Sequence, residues 1–211
     1  IGRVVAVFPL IPCRACAMCA SEEFALCENY GYLGSRSDGA FAEWVCAPVW
    51  NLAFAPDGVS AEDAAMTEPV AVALHAVKRG RLAGGGLVAV FGAGTIGTMC
   101  AMWARQLGAV DVAVVDIEES KLDRMSRLGF DLLCNAAKED AVEAVAELLG
   151  GPADLVIEAT GVASGVESAL RSARSRGRVV CLGNPAGDMH LAQDAYWQIL
   201  RRELEVVDTW N

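Results

Sequence analysis

From residue 87 onward, short apolar runs alternate with amphipathic stretches. Strand candidates lie at 87–91, 111–115, 131–134, 154–157, 178–182 and 204–207. Helix candidates separate them near 96–107, 119–128, 139–149, 164–173 and 193–201. Strands that are apolar throughout belong inside a sheet covered by helices on both faces, so this alternation predicts βαβ units on a parallel sheet. Six strands in this order predict an α/β, doubly wound Rossmann domain with spatial order 3-2-1-4-5-6.

Residues 1–60 are patterned differently. Strand-like pieces at 3–8 and 40–47 flank a cysteine-rich loop, and Pro9, Pro12, Pro48 and Pro56 punctuate the stretch without any long helical period. At Ser60 the pattern changes again. Ser60-Ala61-Glu62-Asp63 reads as a helix N-cap followed by acidic first-turn residues, opening a helix to about Arg79. Gly84-Gly85-Gly86 then breaks the chain. The domain expectation is therefore 1–60 as one part and 61–211 as the Rossmann domain with its leading helix.

Composition narrows the partners. Seventeen basic against 27 acidic residues give a net charge of −10, which would repel nucleic acid and anionic membrane surfaces. No apolar run approaches the ~20 residues of a membrane span. No signal peptide lies within these residues, and the chain starts Ile1-Gly2-Arg3 directly before an apolar run, so residue 1 reads as the edge of a fragment whose first residues are absent. Cys46, Cys100, Cys134 and Cys181 are scattered among apolar neighbours, as in proteins of a reducing cytosol, and a cytoplasmic location is the expectation.

Two motifs carry chemistry. Gly92-Ala93-Gly94-Thr95-Ile96-Gly97 is a G-x-G-x-x-G placed after a strand and opening a helix. Gly92 would permit the tight turn, Gly94 would let a pyrophosphate approach the backbone, and Gly97 would let helix pack on strand. The helix N-terminus would face the phosphates with its free N–H groups. Asp116, ending the next strand, stands where a carboxylate accepts from the ribose hydroxyls of NAD and repels the 2′-phosphate of NADP. The second motif is Cys13-x-x-Cys16-x-x-Cys19 followed by Cys27. Four thiolates so spaced can close a tetrahedron around Zn²⁺ with no open position, which makes a structural site. Disulfides, an iron–sulfur cluster or an empty loop compete, but compartment and spacing favour zinc.

Glu68-Pro69 sits in an otherwise apolar stretch. Read bare, Glu68 is a helix-start acid that stabilises the helix dipole. His75, two turns on, reads as a hydrogen-bonded core histidine, and His190 falls in a loop. With two histidines the chain cannot assemble a second complete metal site, and no Ser-His-Asp spacing is present.

The succession of cysteine loop, Gly39-Ala40-Phe41-Ala42-Glu43-Trp44, Glu68-Pro69-Val70-Ala71-Val72-Ala73-Leu74-His75 and the glycine turn resembles the zinc-containing medium-chain dehydrogenases, within them the polyol branch. The tail from Gly183-Asn184-Pro185 to Thr209-Trp210-Asn211 is similar to galactitol-1-phosphate 5-dehydrogenases. The resemblance implies a GroES-like, β-rich catalytic domain, here partial, in which the Rossmann domain is inserted. It implies that Glu68 ligates a catalytic zinc or holds its water, with the remaining ligands upstream of residue 1. NAD would meet Thr95 and Ile96 at the pyrophosphate, Asp116 and Lys121 at the adenosine ribose, and Thr160 with Leu182-Gly183-Asn184 near the nicotinamide. The implied activity is hydride transfer between an alcohol or polyol, such as a polyol phosphate, and NAD, in an assembly of two or four copies. Another alcohol or threonine as substrate, the zinc-free quinone reductase branch, and a non-catalytic nucleotide-binding relative are the competing readings.

Overall fold

The computed structural model describes residues 2–82 and 84–210. The chain divides into two compact units, Ile1–Ala71 with Trp210–Asn211, and Val72–Thr209.

In the first unit, β1 (Val5–Val7) pairs antiparallel with β4 (Leu52–Phe54), and β2 (Leu10–Ile11) pairs with β3 (Gly31–Tyr32). The short helix α1 (Ala17–Ala20) lies in the cysteine loop, and α2 (Ala61–Ala65) follows β4. Buried Asn51 ties the pieces together. Its Nδ2 donates to the carbonyls of Phe8 at 2.6 Å and Leu10 at 2.7 Å. Such short strands bury little by themselves, so side-chain ties of this kind take up backbone groups that no ladder satisfies.

Two expectations for this stretch are corrected. Residues 40–47 form no strand among the described residues, and Phe41 and Trp44 are exposed. A strand needs a neighbour for its backbone, and none pairs with this segment among the described residues. The single helix predicted from Ser60 to Arg79 is two: α2 ends at Ala65, and α3 (Thr67–Arg79) starts afresh. Pro69 explains the break, since it has no N–H for the carbonyl four residues back and its ring crowds that group at Ala65. Ser60 does cap α2, accepting from the Asp63 N–H.

The second unit is a six-stranded parallel sheet. Its strands are β5 (Leu87–Phe91), β6 (Asp111–Asp116), β7 (Leu133–Asn135), β8 (Ala153–Glu158), β9 (Ala173–Cys181) and β10 (Glu205–Asp208), in spatial order β10-β9-β8-β5-β6-β7. The connecting helices are α4 (Thr95–Gln106), α5 (Glu119–Arg127), α6 (Ala141–Leu149), α7 (Ala163–Ser172) and α8 (Gln193–Arg201). This is the expected doubly wound order. Helix α6 begins two residues later than the pattern suggested, because Asp140 is its cap and accepts from the N–H groups of Val142 and Glu143. Strand β9 starts earlier than expected, with a register irregularity against β8.

Alternation along each strand sends side chains to opposite faces. Val88, Val90, Val114, Leu155 and Ile157 pack with α3 and α4, while Ala89, Phe91, Val115, Val156 and Val179 pack with α6 and α7. Each fully buried Val, Leu or Ile contributes ~1.5–3 kcal/mol. Strand order reverses between β5 and β8, and at such a switch point a crevice opens beyond the carboxyl ends of the strands. No helix among the described residues is long and apolar enough to cross a membrane.

Candidate functional site

In the first unit, the Sγ atoms of Cys13, Cys16, Cys19 and Cys27 all lie within 4.8 Å of one another. Cys13 and Cys19 are 4.0 Å apart, and Cys16 and Cys27 are 3.9 Å apart. A tetrahedron with Zn–S bonds of about 2.3 Å requires sulfurs about 3.8 Å apart, so the four thiols fit a zinc ion. The backbone is shaped toward the sulfurs as well. The Cys13 N–H donates to Cys27 Sγ at 3.2 Å, and the Ala15 N–H donates to Cys13 Sγ at 3.4 Å. Main-chain N–H groups, first that of Cys19 and then that of Glu28, bring the Cys16 thiol down to about 6. Burial pushes the Cys19 thiol up to about 12. Thiols packed this closely cannot all ionise without a cation, and a bound metal resolves that conflict by taking all four as thiolates.

Glu68 sits in the first turn of α3 and is half-buried. Burial, followed by the Glu68 charge, raises the Tyr32 phenol. Glu68 does not join the thiols. Among the described residues they form the one group of three or more potential ligands, so a catalytic metal site is not completed by these residues. His75 is half-buried within α3 and has an interaction partner.

The second unit holds the glycine turn. Gly92 adopts φ +99°, and a Cβ there would come within 3.1 Å of the Ala159 backbone. At Gly97 a Cβ would stand 1.8 Å from the Gly92 carbonyl oxygen, so only glycine lets α4 sit on the turn. Gly94 faces open space, and no side chain caps α4 there. An uncapped helix N-terminus with a side-chain-free approach is what a pyrophosphate requires, so the residues fit a dinucleotide.

A cavity of about 530 Å³ lies against this turn. Gly92, Gly94, Asp116, Lys121 and Thr160 line it, together with Glu118, Glu139 and Asp140. Thr95, Ile96, Gly97, Leu182, Gly183 and Asn184 do not line it. The Ile96 side chain packs on the core, so any contact it makes to phosphate goes through its N–H. Asp116, 8% exposed, has a structural task that the sequence did not show. Its Oδ2 accepts from the Ala93 N–H at 2.7 Å and its Oδ1 from the Glu118 N–H at 2.9 Å. Arg124, which sequence reasoning missed, donates to the Ala93 carbonyl at 2.7 Å from the other side. The Lys121 ammonium lies 2.7 Å from Glu118 and 3.7 Å from Asp116, and these carboxylates, Glu118 first, hold it above its ordinary value.

A family model described as zinc-binding dehydrogenase matches residues 95–211, and one described as alcohol dehydrogenase GroES-like domain matches residues 1–57. The chain belongs to the zinc-binding dehydrogenases, with a Rossmann-like sheet and a GroES-like N-terminal part. Galactitol 1-phosphate 5-dehydrogenase of Escherichia coli K12 is 33% identical over 99% of this chain and 61% of its own length. The crystal structure of galactitol-1-phosphate dehydrogenase from Escherichia coli superimposes with a TM-score of 0.91 at 33% identity, covering 99% of this chain and 61% of that one. An NADP-bound structure from Sinorhizobium meliloti 1021 also gives 0.91, at 31% identity over 98% of this chain and 61% of that one. The chain thus spans about 61% of the length of the relatives it matches.

Proposed function

We propose that this chain serves an NAD-linked zinc dehydrogenase that moves a hydride between the secondary alcohol of a polyol or polyol phosphate and NAD. The glycine turn and its cavity carry this reading: a helix N-terminus left uncapped at Gly94, with a carboxylate at the end of the adjacent strand. When bound, NAD supplies the carbon that accepts or returns the hydride. Gly94 and the N–H groups of Thr95, Ile96 and Gly97 would hold the pyrophosphate. Asp116, with its lone pairs not used by Ala93 and Glu118, would accept from the adenosine ribose beside Lys121. Thr160 and the 182–184 turn would hold the nicotinamide half. Cys13, Cys16, Cys19 and Cys27 would hold one structural zinc, and Glu68 would give its carboxylate to a catalytic zinc whose other ligands are not among these residues. The polyol substrate rests on the likeness to galactitol 1-phosphate 5-dehydrogenase. Assembly in two or four copies and a cytoplasmic site of action complete the proposal.

The choice of NAD over NADP rests on charge. Asp116, Glu118, Glu139 and Asp140 line the cavity with Lys121 as its single basic residue, and a 2′-phosphate placed among them would be repelled. Calorimetric titration should find NADP bound roughly tenfold or more weakly than NAD, about 1.4 kcal/mol. Asp116→Ala should narrow that gap and also weaken NAD, because the Ala93 N–H loses its acceptor. Tighter binding of NADP than of NAD by the unaltered protein would contradict the assignment.

A further inference from the structure

Glu158 closes β8 and is 1% exposed, yet its carboxylate is held by neutral donors. Oε1 accepts from the Thr160 N–H at 2.7 Å, from the Thr160 hydroxyl, and from the Gly161 N–H at 3.1 Å. The Gly161 N–H also reaches Oε2, at 3.4 Å. A buried carboxylate is costly, and is retained where hydrogen bonds satisfy it. This one satisfies two turns at once. Its side chain takes the N–H groups of the turn after β8, while its main-chain carbonyl takes those of Leu182 and Gly183 after β9, at 2.9 and 3.0 Å. The two turns are packed against it without slack. A Cβ on Gly183 would stand 2.9 Å from Oε2 and 2.1 Å from the Gly161 nitrogen, and one on Gly165 would stand 3.0 Å from Oε1.

In a doubly wound sheet each half receives one mononucleotide, on either side of the switch point. Asp116 and Lys121 belong to the β6 side, and Thr160 and the 182–184 turn to the β8–β9 side. Resting on the nucleotide reading above, we propose that Glu158 is a positioning residue for the nicotinamide half of the dinucleotide. It makes a single rigid platform of the Thr160–Gly161 and Leu182–Gly183 turns, and it touches neither cofactor nor substrate. Gln keeps the shape but loses the charge, and in one of its two flips it sets an amide N–H₂ at the Oε1 position against the N–H groups of Thr160 and Gly161.

The test uses two ligands, NAD and AMP, which lacks the whole nicotinamide half, titrated calorimetrically into the chain. Glu158→Gln should weaken NAD by roughly tenfold, the scale of one hydrogen bond to a charged group, and AMP by less than about twofold. Thr160→Val removes one donor to the same carboxylate and leaves the backbone unchanged, so it should show the same split at smaller size. If Glu158→Gln does not fold, Glu158→Asp, which keeps the charge but draws the carboxylate back from the Thr160 and Gly161 N–H groups, decides the matter. Equal weakening of both ligands, or no weakening of either, in the variant that folds overturns the positioning role. Failure of the unaltered chain to bind either ligand would overturn the nucleotide reading itself.

Discussion

The two units of this chain hold themselves together by different means. Among the described residues of the first unit, the buried apolar side chains are Leu10, Pro12, Cys19, Cys27 and Ala64, and two of those five are thiols of the cysteine cluster. The second unit buries both faces of a six-stranded sheet, with Val88, Val90, Val114, Leu155, Ile157, Val179 and Val180 all at or near zero exposure. One unit has a core that hydrophobic burial can sustain. The other has strands of two or three residues and a loop that four sulfurs gather. A metal would supply to the first what apolar area supplies to the second, as in small domains too poor in core to fold without one.

The largest effect should come from removing the metal. Apparent binding energies of structural zinc are on the order of 10 kcal/mol or more, comparable to the entire stability of a typical domain. Cys27→Ser, or a strong chelator, should therefore unravel residues around 10–60 and expose them to limited proteolysis. Fragments spanning 87–208 should resist the protease. Equal sensitivity of both regions would break the comparison.

On the other side, Ile157→Ala opens a cavity between the sheet and α4, and should lower stability by ~2–5 kcal/mol in urea titration. Zinc content should stay at about one equivalent per chain, because Ile157 belongs to the core of the second unit and the four cysteines to the first. Loss of zinc from this variant would mean that the metal loop depends on the large core.

The smallest stability change concerns Glu68, where the bare sequence and the family resemblance give different roles. As a first-turn acid of α3, Glu68→Gln should cost under ~1 kcal/mol. If it also serves a catalytic zinc, kcat/KM in the protein as its organism makes it should fall ~10²-fold, about 2.7 kcal/mol of transition-state stabilisation. Unchanged turnover would leave Glu68 as a helix cap alone.

Legibility in the sequence follows the same division. The central strands of the second unit were readable because burial on both faces leaves almost nothing but apolar residues, as in Leu87-Val88-Ala89-Val90-Phe91. The glycine turn and the cysteine spacing were readable because each role excludes almost every other residue type. Residues 40–47 were misread because alternation states only that a strand could form, while pairing depends on a neighbour the pattern cannot show. Pro69 signals a kink or a helix start within 60–79, but the break falls after Ala65, since a proline's effect is on the carbonyl four residues earlier. Glu158 and Arg124 escaped notice for a related reason. A carboxylate ending a strand and an arginine in a charged helix look like ordinary surface residues until distant partners, Gly183 and Ala93, come within reach.

Hydrogen exchange read by mass spectrometry, with and without a zinc chelator, tests the two-means account most directly. It reports each segment's opening separately. The account predicts that chelation strips protection from peptides covering Cys13 to Asn51 while those from β5, β6 and β8 exchange as slowly as before. Unchanged protection around the cysteines after the metal is shown to be gone, or loss of protection in the central strands together with them, would contradict it.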